Sequence, residues 1–213
     1  MFELFLFINP LGLSCYHLEK QIRKIAEELD LDICINYIPL VTMTAMKQDL
    51  VKRNWNFNTS INLTNYHLAS LSVQKFYYAI QIAYGKKRAR LFLFKLQEAL
   101  SDGKTNYSEA LAETLGQDLG LNLEKVKNSL TDTCLREFIS QDSTLASKFN
   151  VTSLPSTVVF NDESDDSGLL LDGDLSYDDL REIFTDPSAS ACLDVADNDA
   201  FYWSDCSSHL RLL

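Results

Sequence analysis

The amino-acid sequence predicts an α/β protein. A small mixed sheet is opened by a β-α-β unit and closed by an α-β-β-α unit, with an all-helical block between them. Three observations carry this prediction. Residues 2–8 are almost wholly apolar and stop at Asn9-Pro10, as a short strand buried on both faces does. Residues 65–149 repeat apolar side chains at helical spacing throughout. A later apolar strand, ending at Phe160, carries Pro155 at its start and a polar turn at its end.

Taken in order, the strand at 2–8 leads into a turn over residues 9–15, Asn-Pro-Leu-Gly-Leu-Ser-Cys. From Tyr16 a helical pattern sets Leu18, Ile22, Ile25, Ala26 and Leu29 on one face. Residues 31–38 alternate and end at Pro39, a second strand. A strand, a helix and a strand in that order imply a parallel pair with a right-handed crossover. In the helical block, Leu68, Leu71, Phe76, Ala79 and Ala83 share a face, as do Leu93, Leu96 and Leu100, and Gly85, Gly103 and Gly120 punctuate it. A further helix carries Leu135, Phe138, Ile139, Leu145, Ala146 and Phe149. Val151–Phe160 reads as a strand, 161–167 as a polar turn, and Gly168–Gly173 as the hairpin partner. Ser176 caps a last helix to Phe184, with Asp178 and Asp179 in its first turn. This order is that of a thioredoxin-like fold with an insertion. Residues 1–60 and 131–185 are assigned to the α/β unit, 61–130 to the helical insertion and 186–213 to an acidic C-terminal tail.

Composition removes several function classes. The net charge is −11, but residues 1–160 hold 17 basic and 16 acidic side chains, against 2 and 14 in residues 161–213. The acidity belongs to the last quarter, and such a surface repels phosphate backbones, so no nucleic-acid partner is predicted. The apolar start, Met1–Ile8, has no basic segment before it and is too short to span a bilayer, so neither a signal peptide nor a membrane anchor is predicted and the chain is read as cytoplasmic. Five cysteines at irregular spacing (Cys15, Cys34, Cys134, Cys192, Cys206) read as free thiols of a reducing compartment. Cys192, Cys206 and His209 lack the close pairs of a zinc site, so neither a metal nor a cofactor is predicted. His17 and His67 have no acid–base partner in sequence and read as surface histidines. Lys86-Lys-Arg-Ala-Arg90 reads as a solvated helix start.

Two segments carry a family likeness. Phe5-Leu-Phe-Ile-Asn-Pro-Leu-Gly12-Leu-Ser-Cys15-Tyr-His-Leu-Glu19 resembles the start of DsbA-type proteins, where a strand runs into Cys-x-x-Cys and a helix. Ala146-Ser-Lys-Phe-Asn-Val151-Thr-Ser-Leu-Pro155-Ser-Thr-Val-Val-Phe160 resembles the same family's approach to its cis-proline. The likeness covers residues 1–185 and implies a DsbA-type thioredoxin fold with a cis Leu154-Pro155 bond. Within that family, Asn9-Pro10-Leu11 and Phe160-Asn161 are similar to the SpxH group of adapters. That resemblance implies a protein client, a regulator such as Spx, presented to the ClpXP protease, with ClpX as a further partner.

The motif departs from an active one. Thiol–disulfide exchange needs an attacking thiolate and a resolving thiol, and the attacker sits at the helix N-terminus, where the dipole lowers its pKa. Here that position is Gly12, so Gly12, Leu13, Ser14 and Cys15 read as a vestigial motif with no confident catalytic residue. Cys15 alone reads first as a small buried side chain. Gly12 also lacks the hydroxyl that kappa-type glutathione enzymes place there, and Ser14, a middle position, is expected to point the wrong way. The sequence therefore favours a binding protein. A cytosolic thiol-disulfide oxidoreductase or isomerase, or a glutathione-linked isomerase, is the enzymatic alternative, and a scaffold for an unrelated partner is the third reading. The candidate partner surface is the groove between the motif loop and the proline strand, lined by Leu11, Leu13, Leu154 and Pro155.

Overall fold

The computed structural model describes residues 1–53, 60–102, 105–161, 168–173 and 175–185. Four strands form one mixed sheet: β1 (Phe2–Ile8), β2 (Ile33–Pro39), β3 (Ser156–Asn161) and β4 (Leu169–Asp172), in the order β2-β1-β3-β4. β1 pairs with β2 in parallel and with β3 antiparallel, and β4 pairs antiparallel with β3. This is the thioredoxin-like arrangement that the order of elements predicts.

The central position of β1 explains its almost wholly apolar sequence, broken only by Glu3. Leu4, Leu6 and Ile8 enter the larger core, while Phe5 and Phe7 enter the smaller one on the other face. On the larger side lie α1 (Leu13–Glu28), α3 (Ser60–Tyr84), α4 (Lys86–Leu100) and α8 (Tyr177–Thr185), contributing Ile22, Ile25, Tyr77, Phe92, Leu93 and Leu180. The smaller core joins Phe5 and Phe7 to Ala45 of α2 (Met43–Lys52), to Ala146 of α7 (Thr133–Lys148) and to Phe149, Leu154 and Val158. Phe149 packs on both strand rings, 5.8 Å from Phe5 and 6.1 Å from Phe7. Each fully buried Leu, Ile or Phe contributes roughly 1.5–3 kcal/mol, so the side chains on the two faces of β1 hold the layers together.

Between β2 and β3 every described element is a helix, with α5 (Glu109–Asp118) and α6 (Leu123–Ser129) completing the set. α3 packs against α2, α4, α6 and α7. The helices also cover an outer strand. Arg90 Nη1 donates to Ile35 O at 3.2 Å and Gln74 Nε2 to Pro39 O at 2.6 Å, so part of the edge of β2 is occupied by side chains.

Several boundaries differ from the sequence reading. α1 begins at Leu13 rather than Tyr16, and α2 occupies a stretch that carries no helical prediction. β3 begins after Pro155, not at Val151, because Ser153 to Pro155 form a bend before the ladder starts. Ser176 caps α8 as predicted, with its Oγ accepting from Asp179 N–H at 3.2 Å and its N–H donating to Asp179 Oδ2 at 3.3 Å. Arg90 is not a solvated end of its basic run, since its guanidinium lies 5.0 Å over the Tyr37 ring. His67 is half-buried with Nδ1 unpaired, unlike the surface histidine predicted. The tail at 186–213, with Cys192, Cys206 and His209, and the turn at 162–167 lie outside the described residues.

Candidate functional site

The site is built where β1 ends. Asn9 to Gly12 make a tight turn closed by Gly12 N–H to Asn9 O at 2.9 Å. Gly12 then stands at the N-cap of α1 in extended conformation and has no side chain to satisfy the first N–H groups of the helix. Cys15 follows in the first turn, 2% exposed, and its Sγ accepts from Asn9 N–H at 3.3 Å. A Cβ added at Gly12 would lie 3.0 Å from Cys15 Sγ and 3.2 Å from Asn9 Cβ, so glycine is the residue that fits without displacing its neighbours.

The missing cap comes from α2. Asp49 Oδ1 accepts from Leu13 N–H at 2.8 Å. Asp49 Oδ2 accepts from Arg53 Nε at 2.6 Å and from the Tyr66 hydroxyl at 2.7 Å. Arg53 Nη2 donates to Leu11 O at 2.5 Å, and Asn9 Nδ2 donates to Tyr66 Oη at 3.0 Å. Gln97 of α4 adds a long bond, 3.5 Å, to Asn9 O. The Arg53 and Asp49 side chains are 2% and 5% exposed. Burial, and then the Asp49 charge, push the Tyr66 phenol far above its ordinary range, so it remains a donor to Asp49. A second buried carboxylate, Glu19, accepts from Arg23 at 2.6 Å and from Tyr37 at 2.7 Å. Burial raises its pKa, and its Oε2 has no partner.

An open cleft of about 440 Å³ lies between α1, α2 and the bend before β3. Gly12, Ser14 and Cys15 form one wall, Ala45, Gln48, Asp49, Val51 and Lys52 a second, and Ser153, Leu154 and Pro155 a third. The Leu154-Pro155 bond is cis, as the family likeness implies. Gly173 N–H donates to Pro155 O at 2.9 Å, and the single Ser156 hydroxyl proton is shared between Ser153 O, 2.7 Å away, and the Asp172 carboxylate, so the bend is held from β4.

The sequence-predicted residues divide. Gly12, Ser14, Cys15, Leu154 and Pro155 meet at the cleft. Leu11 does not, since it is 5% exposed and belongs to the larger core. Leu13 is half-buried and outside the cleft lining. The early start of α1 accounts for this, because it brings Ser14 and Cys15 to the cleft in place of Leu13. The apolar lining comes from Ala45, Val51, Leu154 and Pro155. Ser14 lines the cleft, and its hydroxyl accepts from Lys52 Nζ. The sequence reading missed Asn9, Asp49, Arg53 and Tyr66. The spacing of Asp49 and Arg53, one helical turn apart, was the one available signal. Among the described residues no cluster of three or more His, Cys, Asp and Glu could hold a metal, and no helix is long and apolar enough to cross a membrane.

Comparison with known proteins agrees with this geometry. The family model described as Thioredoxin matches residues 5–182. The ClpXP adapter protein SpxH of Bacillus subtilis is 25% identical over 201 residues, covering 85% of this chain and 66% of the adapter. SpxH of Staphylococcus saprophyticus is 23% identical over 175 residues, covering 82% and 62%. The chain thus spans slightly less than two thirds of the length of these curated relatives. Among solved structures, the thiol-disulfide exchange protein alpha-DsbA2 of Wolbachia pipientis superposes with a TM-score of 0.58 at 16% identity, covering 88% of this chain and 82% of that one. This last likeness concerns the fold.

Proposed function

The chain belongs to the thioredoxin family, and on that premise we propose that it is a redox-degenerate adapter that binds a protein client and presents it to a protease. The observation that carries this reading is a complete cleft without its nucleophile. The loop, the helix start and the proline bend surround an open volume, and Gly12 stands where an attacking thiol would be. Cys15 is 2% exposed and engaged by Asn9 N–H. A site of this kind can hold a segment but lacks the two thiols that exchange requires.

The kinship with SpxH adapters supports a narrower form. The client is a regulator of the Spx type and the protease is ClpXP, with ClpX as the second partner, in the cytoplasm. The motif-loop and proline face is the client surface, with Leu154 and Pro155 at its centre and Val51 at its rim.

The test is reconstituted degradation. Purified ClpXP, ATP and an Spx-type regulator are combined with and without this protein, and loss of the regulator is followed on gels. The expected result is faster loss of the regulator and no effect on an unrelated ClpXP substrate. Unchanged decay, together with measurable reduction of a model disulfide or binding of glutathione, would return the protein to the enzymatic alternative.

A further inference from the structure

We propose that Asp49 is the positioning residue of the cleft, tying the Asn9–Leu13 loop to α2 so that two of its walls keep a fixed separation. The consequence for client binding rests on the adapter reading, whereas the positioning itself rests on geometry.

The first turn of any helix presents N–H groups without partners inside the helix. A Ser, Asp or Asn at the N-cap is the ordinary remedy, but the N-cap here is Gly12, where a Cβ would stand 3.0 Å from Cys15 Sγ and 3.2 Å from Asn9 Cβ, so a side chain there would require its neighbours to shift. The cap therefore comes from outside, from a carboxylate 36 residues away in the chain. The same group gathers further holds on the loop. Position 13 is bound directly, position 11 through Arg53, and position 9 through Tyr66. An ion pair buried this deeply does little for stability that a well-packed apolar pair could not do. It does supply direction, because the two Asp49 oxygens and the Arg53 fork fix three loop positions at once. Asp49 also sits in the cleft wall itself, on the helix that contributes Ala45, Gln48 and Lys52, while the loop it holds leads directly into Ser14 and Cys15. One carboxylate thus joins the two walls.

The experiment uses the full chain. Asp49→Ala alone leaves the buried Arg53 charge without its carboxylate and would destabilise the fold, so it is combined with Arg53→Leu, which removes both charges. Asp49→Asn, which retains an acceptor for Leu13 N–H, is the conservative comparison. Two readouts need no client: amide hydrogen exchange at Leu11 and Leu13, and the rate at which iodoacetamide alkylates Cys15, read by peptide mass spectrometry. In the double variant both should rise by about tenfold or more while amides of β1 and β3 keep their protection, as local opening requires. Asp49→Asn should lie between it and the parent. Unchanged loop exchange and alkylation, or an equal rise at every amide, would overturn the positioning role. Affinity for the Spx-type regulator used in the degradation assay should fall by about tenfold in the folded double variant. A loosened loop with unaltered affinity would overturn the link to binding. A parent protein that binds no regulator would defeat the adapter reading, and the loop measurements would still decide the positioning.

Discussion

At the scale of single residues, chemistry is decided by position 12. The thiol at position 15 is present, buried and hydrogen-bonded, but its partner is a glycine. The purified protein should therefore reduce insulin no faster than background, and Cys15→Ser should leave that rate unchanged; turnover lost in Cys15→Ser would contradict the redox-degenerate reading. The backbone keeps more of the old geometry than the side chains do. The distance from an ideal Cβ at Gly12 to Cys15 Sγ is 3.0 Å. In a disulfide, with S–S near 2.04 Å, a Cβ stands about 3 Å from the partner sulfur. Gly12→Cys should therefore oxidise readily to a bridge with Cys15, visible as two thiols fewer on titration of the unfolded protein. A full thiol count after mild oxidation would show that the loop no longer holds that geometry. The glycine was legible in the sequence as a lost nucleophile. Its tight packing against Cys15 and Asn9 was not, because that depends on a turn closed by the backbone.

At the scale of elements, α2 shows what sequence pattern conveys and what it omits. Leu154, Pro155 and the motif loop were readable, since strand ends and prolines leave local marks. The wall opposite them was not, because its role depends on contacts between Asp49 and Leu13, 36 positions apart, and between Tyr66 and Asn9, 57 apart. Val51 of α2 is 56% exposed and lines the cleft. Val51→Glu should leave the melting temperature within a few degrees, as changes at exposed positions away from capping and packing features do. On the proposed adapter role, it should also weaken binding of the Spx-type regulator about tenfold by placing a charge in the apolar cleft wall. Calorimetric titration of the folded variant checks this, and an unaltered affinity would move the client surface away from the cleft. A second helix carries a pH response. Asp142 of α7 accepts a hydrogen bond from Tyr78 of α3, and burial lifts its pKa from 3.8 to about 8. Between those values the unfolded chain ionises this group while the folded chain keeps it protonated. The native state therefore loses stability from this group as pH rises through the window, and the loss levels off above about 8. Asp142→Asn keeps an acceptor for Tyr78 and removes the ionisation. Its melting temperature should exceed the parent's at pH 8 and match it at pH 3.5, and equal melts at both would show that Asp142 ionises normally.

At the scale of the whole molecule, the fold was legible because its two cores meet on one strand. Leu4, Leu6 and Ile8 face one core and Phe5 and Phe7 the other, so from Leu4 to Ile8 β1 reads as a continuous apolar run whatever surrounds it. Which helices cover each face is a tertiary matter that no local period encodes. The last described helix, α8, completes the larger core. Leu180, Ile183 and Phe184 of α8 are buried, and the Phe184 ring meets Phe2 edge-on at 5.1 Å between centroids. α8 packs on α1, so the last described helix closes the layer that the first strand and first helix begin. Among the described residues neither core draws on a position beyond Phe184, and the family match ends at residue 182. Truncation after Thr185 should therefore preserve a cooperative melt and the far-ultraviolet circular dichroism of the folded domain. Truncation after Leu175 removes three buried side chains and uncovers Phe2. At roughly 1.5–3 kcal/mol for each side chain, the loss is about 5–9 kcal/mol, comparable to the whole stability of an ordinary domain. That shorter protein should show no cooperative transition, should bind a hydrophobic dye and should precipitate on concentration. A cooperative melt from the shorter protein would mean that α8 is an appendage to the core. Loss of the melt in the longer one would assign residues 186–213 a structural role that the two cores do not require.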